Sequence, residues 1–254
     1  MKPIILSSNT VHSGELILVN AQAALVVDGT QRRECVWVNP DSAVRLERVA
    51  AASLNRLMKG LDGWRWIMAV SGWRSHHEQQ EIFAQSLRDN GREFTKKYVA
   101  LPGHSEHQTG LAIDLGLRTE QLDFIRPAFP YAGICQTFRK MAPAFGFIER
   151  YPKGKEEVTG IAHEPWHFRY VGKPHAEIMA GLGLTLEEYH AFLKQYPFGE
   201  KDYAYRSGRE EVLVSYIAAR EGNTFAVEDT ESYSLSGNNV DGFVLTRWRE
   251  RNGG

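Results

Sequence analysis

Cysteine is scarce in this chain: its 254 residues include two, Cys35 and Cys135, far apart and without a C-x-x-C pair. That excludes a disulfide-stapled scaffold and a thiolate metal site, and both thiols are expected to be reduced packing residues. Long apolar runs are also missing. No stretch approaches the roughly 18–20 uninterrupted apolar residues that cross a bilayer. The opening "MKPIILSSNTVHSGELILVN" carries neither an extended apolar leader core nor a small-residue cleavage site, so a cytoplasmic protein with no membrane partner is expected. An excess of charge of either sign is lacking too: 30 basic residues stand against 31 acidic ones, for a net charge of −1. Nucleic acid and anionic membrane are thereby excluded as main partners. The chain has neither internal repeats nor low-complexity tracts. Instead, 43% hydrophobic and 24% charged residues make an ordinary globular composition, long enough for one large domain or one domain with an appendage.

Periodicity divides the chain. "GELILVN" and "ECVWVNP" read as short strands. From Asp41 the period becomes helical, with Leu46, Val49, Leu54 and Leu57 on one face, a cap at Asp41 or Ser42, and Gly60 closing the end. "WRWIMAV" reads as a buried strand that stops at Ser71-Gly72. Ser75 and Glu78 then form a capping box for the helix "SHHEQQEIFAQSLRDNG". "LPGHSEHQTGLAIDLG" is a loop feeding a strand, "QTFRKMAPAFGF" a helix ending near Pro143, and "IAHEPWHFRYVG" a strand bent at Pro165. Thr185 and Glu188 cap a last helix. Beyond Pro197 the chain turns β-rich around the turn cluster "SGNNVDG". The expected fold is α+β, an antiparallel or mixed sheet backed by helices. The main domain would span residues 1–197 and a small β appendage residues 198–254.

The stretch "HEPWH", residues 163–167, spells the H-E-x-x-H string that binds zinc when it lies on a helix. Pro165 argues against that helix: it has no N–H, it clashes with the preceding turn, and it drives Glu164 away from α geometry. In a regular strand Glu164 and His167 would face opposite sides. A local bulge or turn at Pro165 would swing both toward one point, as a base and a ligand. Further ligands are at hand in "SEHQTGLAID", a loop histidine, His107, followed by Asp114 on the entering strand. Catalytic zinc keeps three such protein ligands and an open fourth position. Gly110 and Ala112 are small, as suits a crowded backbone.

The pattern Ser105-x-His107-x-x-Gly110-x-Ala112-x-Asp114, followed by Glu164-x-Trp166-His167 and preceded by "SGWRS", resembles the zinc D-Ala-D-Ala peptidases. It is most similar to the VanY carboxypeptidases and VanXY bifunctional peptidases of glycopeptide-resistant bacteria. The resemblance covers roughly residues 60–172. It implies one zinc ion held by His107, Asp114 and His167. It further implies Glu164 as general base, Arg74 steadying the developing oxyanion, and Ser105 and Gln79 touching substrate. Ser71 is a further candidate for the same wall, and Trp166, on Glu164's face, for the pocket lining. His163 is not a ligand in such a site. His76, His77 and His104 stay unassigned. The implied substrates are the dipeptide D-Ala-D-Ala and the soluble pentapeptide precursor, with a role in vancomycin resistance. Two alternatives stay open: a zinc peptidase cutting another wall-peptide bond, L,D or L-Ala-D-Glu, and a zinc-stabilised binding module without catalysis.

Overall fold

The computed structural model describes residues 2–5, 8–26, 33–207, 210–220, 224–227 and 232–250. The described strands are β1 (Lys2–Ile5), β2 (Cys35–Trp37), β3 (Arg45–Glu47), β4 (Ile67–Ser71), β5 (Ala112–Leu117), β6 (Phe147–Tyr151), β7 (Glu164–Tyr170), β8 (Tyr203–Ser207), β9 (Glu210–Ala218), β10 (Thr224–Val227), β11 (Ser232–Gly237) and β12 (Gly242–Glu250). The helices are α1 (Arg48–Leu61), α2 (His76–Tyr98), α3 (Gly133–Met141), α4 (Glu156–Thr159), α5 (His175–Leu182) and α6 (Leu186–Leu193). They form two compact units. One is Val19–Leu25 with Arg32–Thr185; the other is Met1–Leu18, Val26–Gln31 and Leu186–Gly254. The mixture of helices with antiparallel sheets is the expected fold class.

The first unit is built on an antiparallel sheet of order β4-β5-β7-β6. Its central strand β5 alternates. Ile113 and Leu115 enter the apolar core with Leu54, Leu57, Phe138, Phe147 and Phe168, while Asp114 faces the other way and is also buried. Burying each such large apolar side chain favours folding by about 1.5–3 kcal/mol. Helix α2 begins at Ser75 with both halves of the capping box made, as "SHHE" predicts. It continues as far as Tyr98 across a kink at Gly91 (φ 77°), beyond the expected stop at "NG".

Two local readings differ from the structure. The helix expected from Asp41 starts at Arg48, because residues 45–47 pair with β2 as β3 and Leu46 is buried there as a strand residue. Glu47 caps this helix, its carboxylate accepting from the N–H groups of Val49 and Ala50, and Val49 is exposed. The other end passes Gly60 and closes on Asp62 in the left-handed region. "GELILVN" is not a strand: Leu16, Ile17 and Val19 are buried from irregular backbone.

The second unit holds a four-stranded antiparallel sheet, order β11-β12-β9-β8, and the pair β1-β10. "SGNNVDG" does turn β11 into β12. The Asn238 side-chain oxygen accepts from the N–H groups of Val240, Asp241 and Gly242, and Asn239 takes φ 64°. The C-terminal segment of this unit starts at Leu186, whereas the sequence pattern puts a boundary at Pro197, and the unit also takes in Met1–Leu18 with β1. Residues 208–209, 221–223, 228–231 and 251–254 of the expected appendage lie outside the described residues. Among the described residues no helix is long and apolar enough to cross a membrane.

Candidate active site

Three neighbouring strands place one row of side chains across the first unit's sheet. In register, Ser71 of β4 lies opposite Asp114 of β5, and Asp114 lies opposite His167 of β7. An irregularity between Ala69 and Ser71 brings Ser71, rather than Val70, into this row. A second irregularity is in β7, where Glu164 pairs with Tyr151 and Phe168 with Glu149. Four steps along β7 thus match two along β6, a bulge centred on Pro165–His167. Its effect is the one a bend at the proline predicts: the Glu164 carboxylate lies 3.7 Å from His167 Nδ1 instead of on the opposite face.

His107 arrives from a short 3-10 turn, Glu106–Thr109, that ends at Gly110 with φ 75°. A side chain there would be strained by that φ, and its Cβ would sit 2.9 Å from Cys35 Sγ. Gly72 is required for a different reason, because a Cβ would stand 2.3 Å from the Arg45 carbonyl oxygen. The close approach lets the Gly72 carbonyl reach His107 Nδ1 at 2.8 Å.

His107, Asp114 and His167 are all buried, and their ligating atoms lie within 4.8 Å of one another. His107 Nε2 is 3.2 Å from Asp114 Oδ2, and His167 Nδ1 is 2.9 Å from Asp114 Oδ1. The donor set suits a metal. The carbonyl at His107 Nδ1 fixes the ring so that its Nε2 lone pair points at a carboxylate, an arrangement that a cation between them satisfies. His167 Nε2, the ring atom away from the cluster, lies 3.6 Å from Glu106 Oε2. Two imidazoles and a carboxylate are the ligand types of a catalytic zinc site. His163 is outside the cluster; its Nε2 meets the Tyr131 hydroxyl at 2.7 Å. His77 pairs with Glu81 and His104 Nδ1 meets the Asn20 carbonyl, both away from the cluster.

Around the cluster is a cavity of about 290 Å³. Ser71, Arg74, Gln79, Ser105, Glu164 and Trp166 all line it. Arg74 is held from three sides. Its Nε donates to Ser71 Oγ (2.8 Å), and its terminal nitrogens donate to Gln79 Oε1 (3.3 Å) and Asp114 Oδ2 (3.3 Å). Gln79 is itself fixed by donating to the Ala100 carbonyl at 2.8 Å. Ser71 and Gln79 therefore direct polar atoms at Arg74 as well as bordering the cavity. Trp166 both packs in the apolar core and forms cavity wall.

Electrostatics separate the two cavity acids. Burial opposes ionisation of Asp114, but His107 and His167 outweigh it and hold its carboxyl well below the usual range. Burial pushes Glu164 up to about 8, and the nearby Asp114 charge adds to this, against the opposing pull of His167 and Arg74. A carboxyl whose proton affinity lies near neutrality suits a group that must both take up and give back a proton.

Glu106 is a further residue of the site, one that no motif in the sequence singles out. This carboxylate is wholly buried, and its Oε1 accepts from Arg150 Nε and Arg169 Nη1, each at 2.8 Å. Both arginines are fully buried. Its Oε2 faces His167 Nε2 at 3.6 Å, beyond hydrogen-bond length, from the side on which a carboxylate commonly orients a metal-binding histidine. Its position beside His107 in "SEHQTG" was the one available signal.

Residues 43–173 match the VanY family model, D-alanyl-D-alanine carboxypeptidase. The chain is 45% identical over 161 residues to a bifunctional D-Ala-D-Ala dipeptidase and carboxypeptidase, VanXYC, of Enterococcus gallinarum, covering 63% of this chain and 80% of that protein. Among solved structures it is similar to the vancomycin resistance D,D-dipeptidase VanXYg in complex with a D-Ala-D-Ala phosphinate analogue. There the TM-score is 0.94 at 45% identity, over 98% of this chain and 99% of the other. It is also similar to a VanY D,D-pentapeptidase from a VanB-type resistance cassette in complex with Zn(II), with a TM-score of 0.56 at 29% identity over 69% and 98% of the two chains. This chain is a peptidase and belongs to the VanY family of D-alanyl-D-alanine carboxypeptidases.

Proposed function

We propose that the protein is a zinc-dependent D,D-peptidase that hydrolyses the dipeptide D-Ala-D-Ala and removes the terminal D-Ala from the soluble pentapeptide precursor. The observation that carries this reading is the row Asp114–His167 with His107 above it, beside a buried Glu164 and a fixed Arg74. A structural metal site needs neither of the last two, which counts against a binding module. That every residue named for catalysis belongs to the unit Val19–Leu25 with Arg32–Thr185 supports reading this unit as the catalytic one. The C-terminal β-rich segment is read as an appendage to it. Work in the cytoplasm belongs to the same reading, because both substrates are soluble there, and so does a contribution to vancomycin resistance.

His107, through Nε2, Asp114 and His167, through Nδ1, would hold one zinc ion. When bound, zinc lowers the pKa of a water to about 7 and polarises the scissile carbonyl. Glu164 takes the proton of the attacking water and delivers it to the departing D-Ala amine. Arg74 presents its guanidinium where negative charge collects on the carbonyl oxygen; such a donor is typically worth about 3–4 kcal/mol. Ser71 and Gln79 aim that guanidinium and, with Ser105 and Trp166, form the walls against which substrate lies.

The test is hydrolysis of D-Ala-D-Ala, of a pentapeptide ending in it, and of L,D and L-Ala-D-Glu peptides by the zinc-loaded protein. Turnover of the first two alone is expected; cleavage confined to the last two would overturn the assignment. Dialysis against a strong chelator is expected to abolish turnover and to lower Tm, with both restored by zinc, because a ligand that binds only the folded state stabilises it. Gln79→Ala is expected to lower kcat by about tenfold with KM little changed, since mis-aiming Arg74 affects a contact made chiefly in the transition state. Steady-state kinetics on the dipeptide read this directly.

A further inference from the structure

A second cavity lies beside the first in the same unit and is larger, about 590 Å³ against about 290 Å³. The two share a wall of Val99, Ala100, Tyr151 and Ile161. Beyond that wall the lining is mostly apolar, including Phe83, Leu87 and Leu101. Leu87 and Leu101 are 39% and 49% exposed, a combination more usual for a binding groove than for a core. Two exposed cations of α2, Arg92 and Lys96, also line it.

We propose that this second cavity receives the amino-side extension of the longer substrate, a peptidyl chain bearing a free carboxylate. The inference rests on the D,D-peptidase reading and assigns that reading's second substrate a place of its own. A carboxypeptidase releases one residue, so the leaving side of the scissile bond has a fixed, small size. All length that distinguishes a pentapeptide from a dipeptide therefore lies on the amino side, and the cavity across the shared wall is the adjacent room for it. The dipeptide ends before the shared wall and leaves the second cavity unused. Apolar lining suits side-chain methyl and methylene groups. Arg92 and Lys96 suit an isoglutamyl carboxylate two residues ahead of the terminal pair.

The double variant Arg92→Glu/Lys96→Glu and the filling variant Leu87→Trp test this in the zinc-loaded protein. The probes are D-Ala-D-Ala, the pentapeptide L-Ala-γ-D-Glu-L-Lys-D-Ala-D-Ala, and the same pentapeptide with the glutamyl carboxylate amidated. The expectation is a loss of about tenfold or more in kcat/KM on the acidic pentapeptide for both variants, with the dipeptide changed by less than about twofold. The charge variant is expected to lose much less on the amidated peptide. The unchanged dipeptide rate reports intact folding. Pentapeptide rates that stay at wild-type level, or that fall only in parallel with the dipeptide rate, overturn the proposal. Wild-type protein that cleaves neither D,D substrate would instead overturn the underlying reading.

Discussion

Glu164→Gln is expected to keep its zinc and to lose turnover by about 10²–10⁴-fold, the usual contribution of a positioned general base. Glutamine has the shape of glutamate and leaves the three proposed ligands in place, but its amide cannot accept the proton. The loss should fall on kcat, with KM for the dipeptide little moved, because proton transfer occurs in the transition state and not in substrate binding. Stability should hold or rise. Burial disfavours the charged form of this group and pushes it up to about 8, so at neutral pH folding must protonate a carboxylate that is ionised in the unfolded chain, a cost that a neutral amide does not carry. Steady-state kinetics with metal analysis on one preparation reads all three quantities. A variant that retained a tenth or more of wild-type kcat would remove Glu164 from the base's role.

The second large effect concerns stability. Glu106→Gln takes away a carboxylate that Arg150 and Arg169 share, in a place where none of the three is exposed. Breaking a buried charge cluster by removing one partner costs about 3–5 kcal/mol. For a chain of this size that is a fall in Tm of roughly 10 °C. The same change withdraws the carboxylate from behind His167 Nε2, and losing such a backing group typically costs about 10–100-fold in metal affinity. Thermal unfolding of the zinc-loaded and chelated forms separates the two consequences: the chelated form registers the charge cluster alone. A chelated Glu106→Gln protein that melted with wild type would show that the cluster is not a stabilising element.

These two residues mark how far the sequence could be read. Glu164 was legible because its clue is local. Pro165 forbids the helix, a local bulge or turn is needed to bring i and i+3 together, and β7 contains a bulge. The capping box of α2 and the turn at "SGNNVDG" were equally local. Glu106 was opaque because its partners are 44 and 63 residues away, and its burial follows from tertiary packing alone. Leu46 was misread for the same reason: its apolar spacing fits a helix, and only pairing with β2 makes residues 45–47 a strand. Ser71 and Gln79 were legible as cavity wall, but their hydrogen bonds to Arg74 follow from the irregularity in β4 and the fixed start of α2.

The central claim is that His107, Asp114 and His167 hold the metal, and that His163 belongs to "HEPWH" in spelling only. The direct measurement is zinc content by elemental analysis of wild type, Asp114→Ala and His163→Ala, with D-Ala-D-Ala turnover on the same samples. The account predicts about one zinc per chain in wild type, as a three-ligand catalytic site requires. His163→Ala should hold the same amount and remain active, while Asp114→Ala should lose both metal and turnover. Stoichiometric zinc in folded Asp114→Ala, or its loss from folded His163→Ala, would contradict the account.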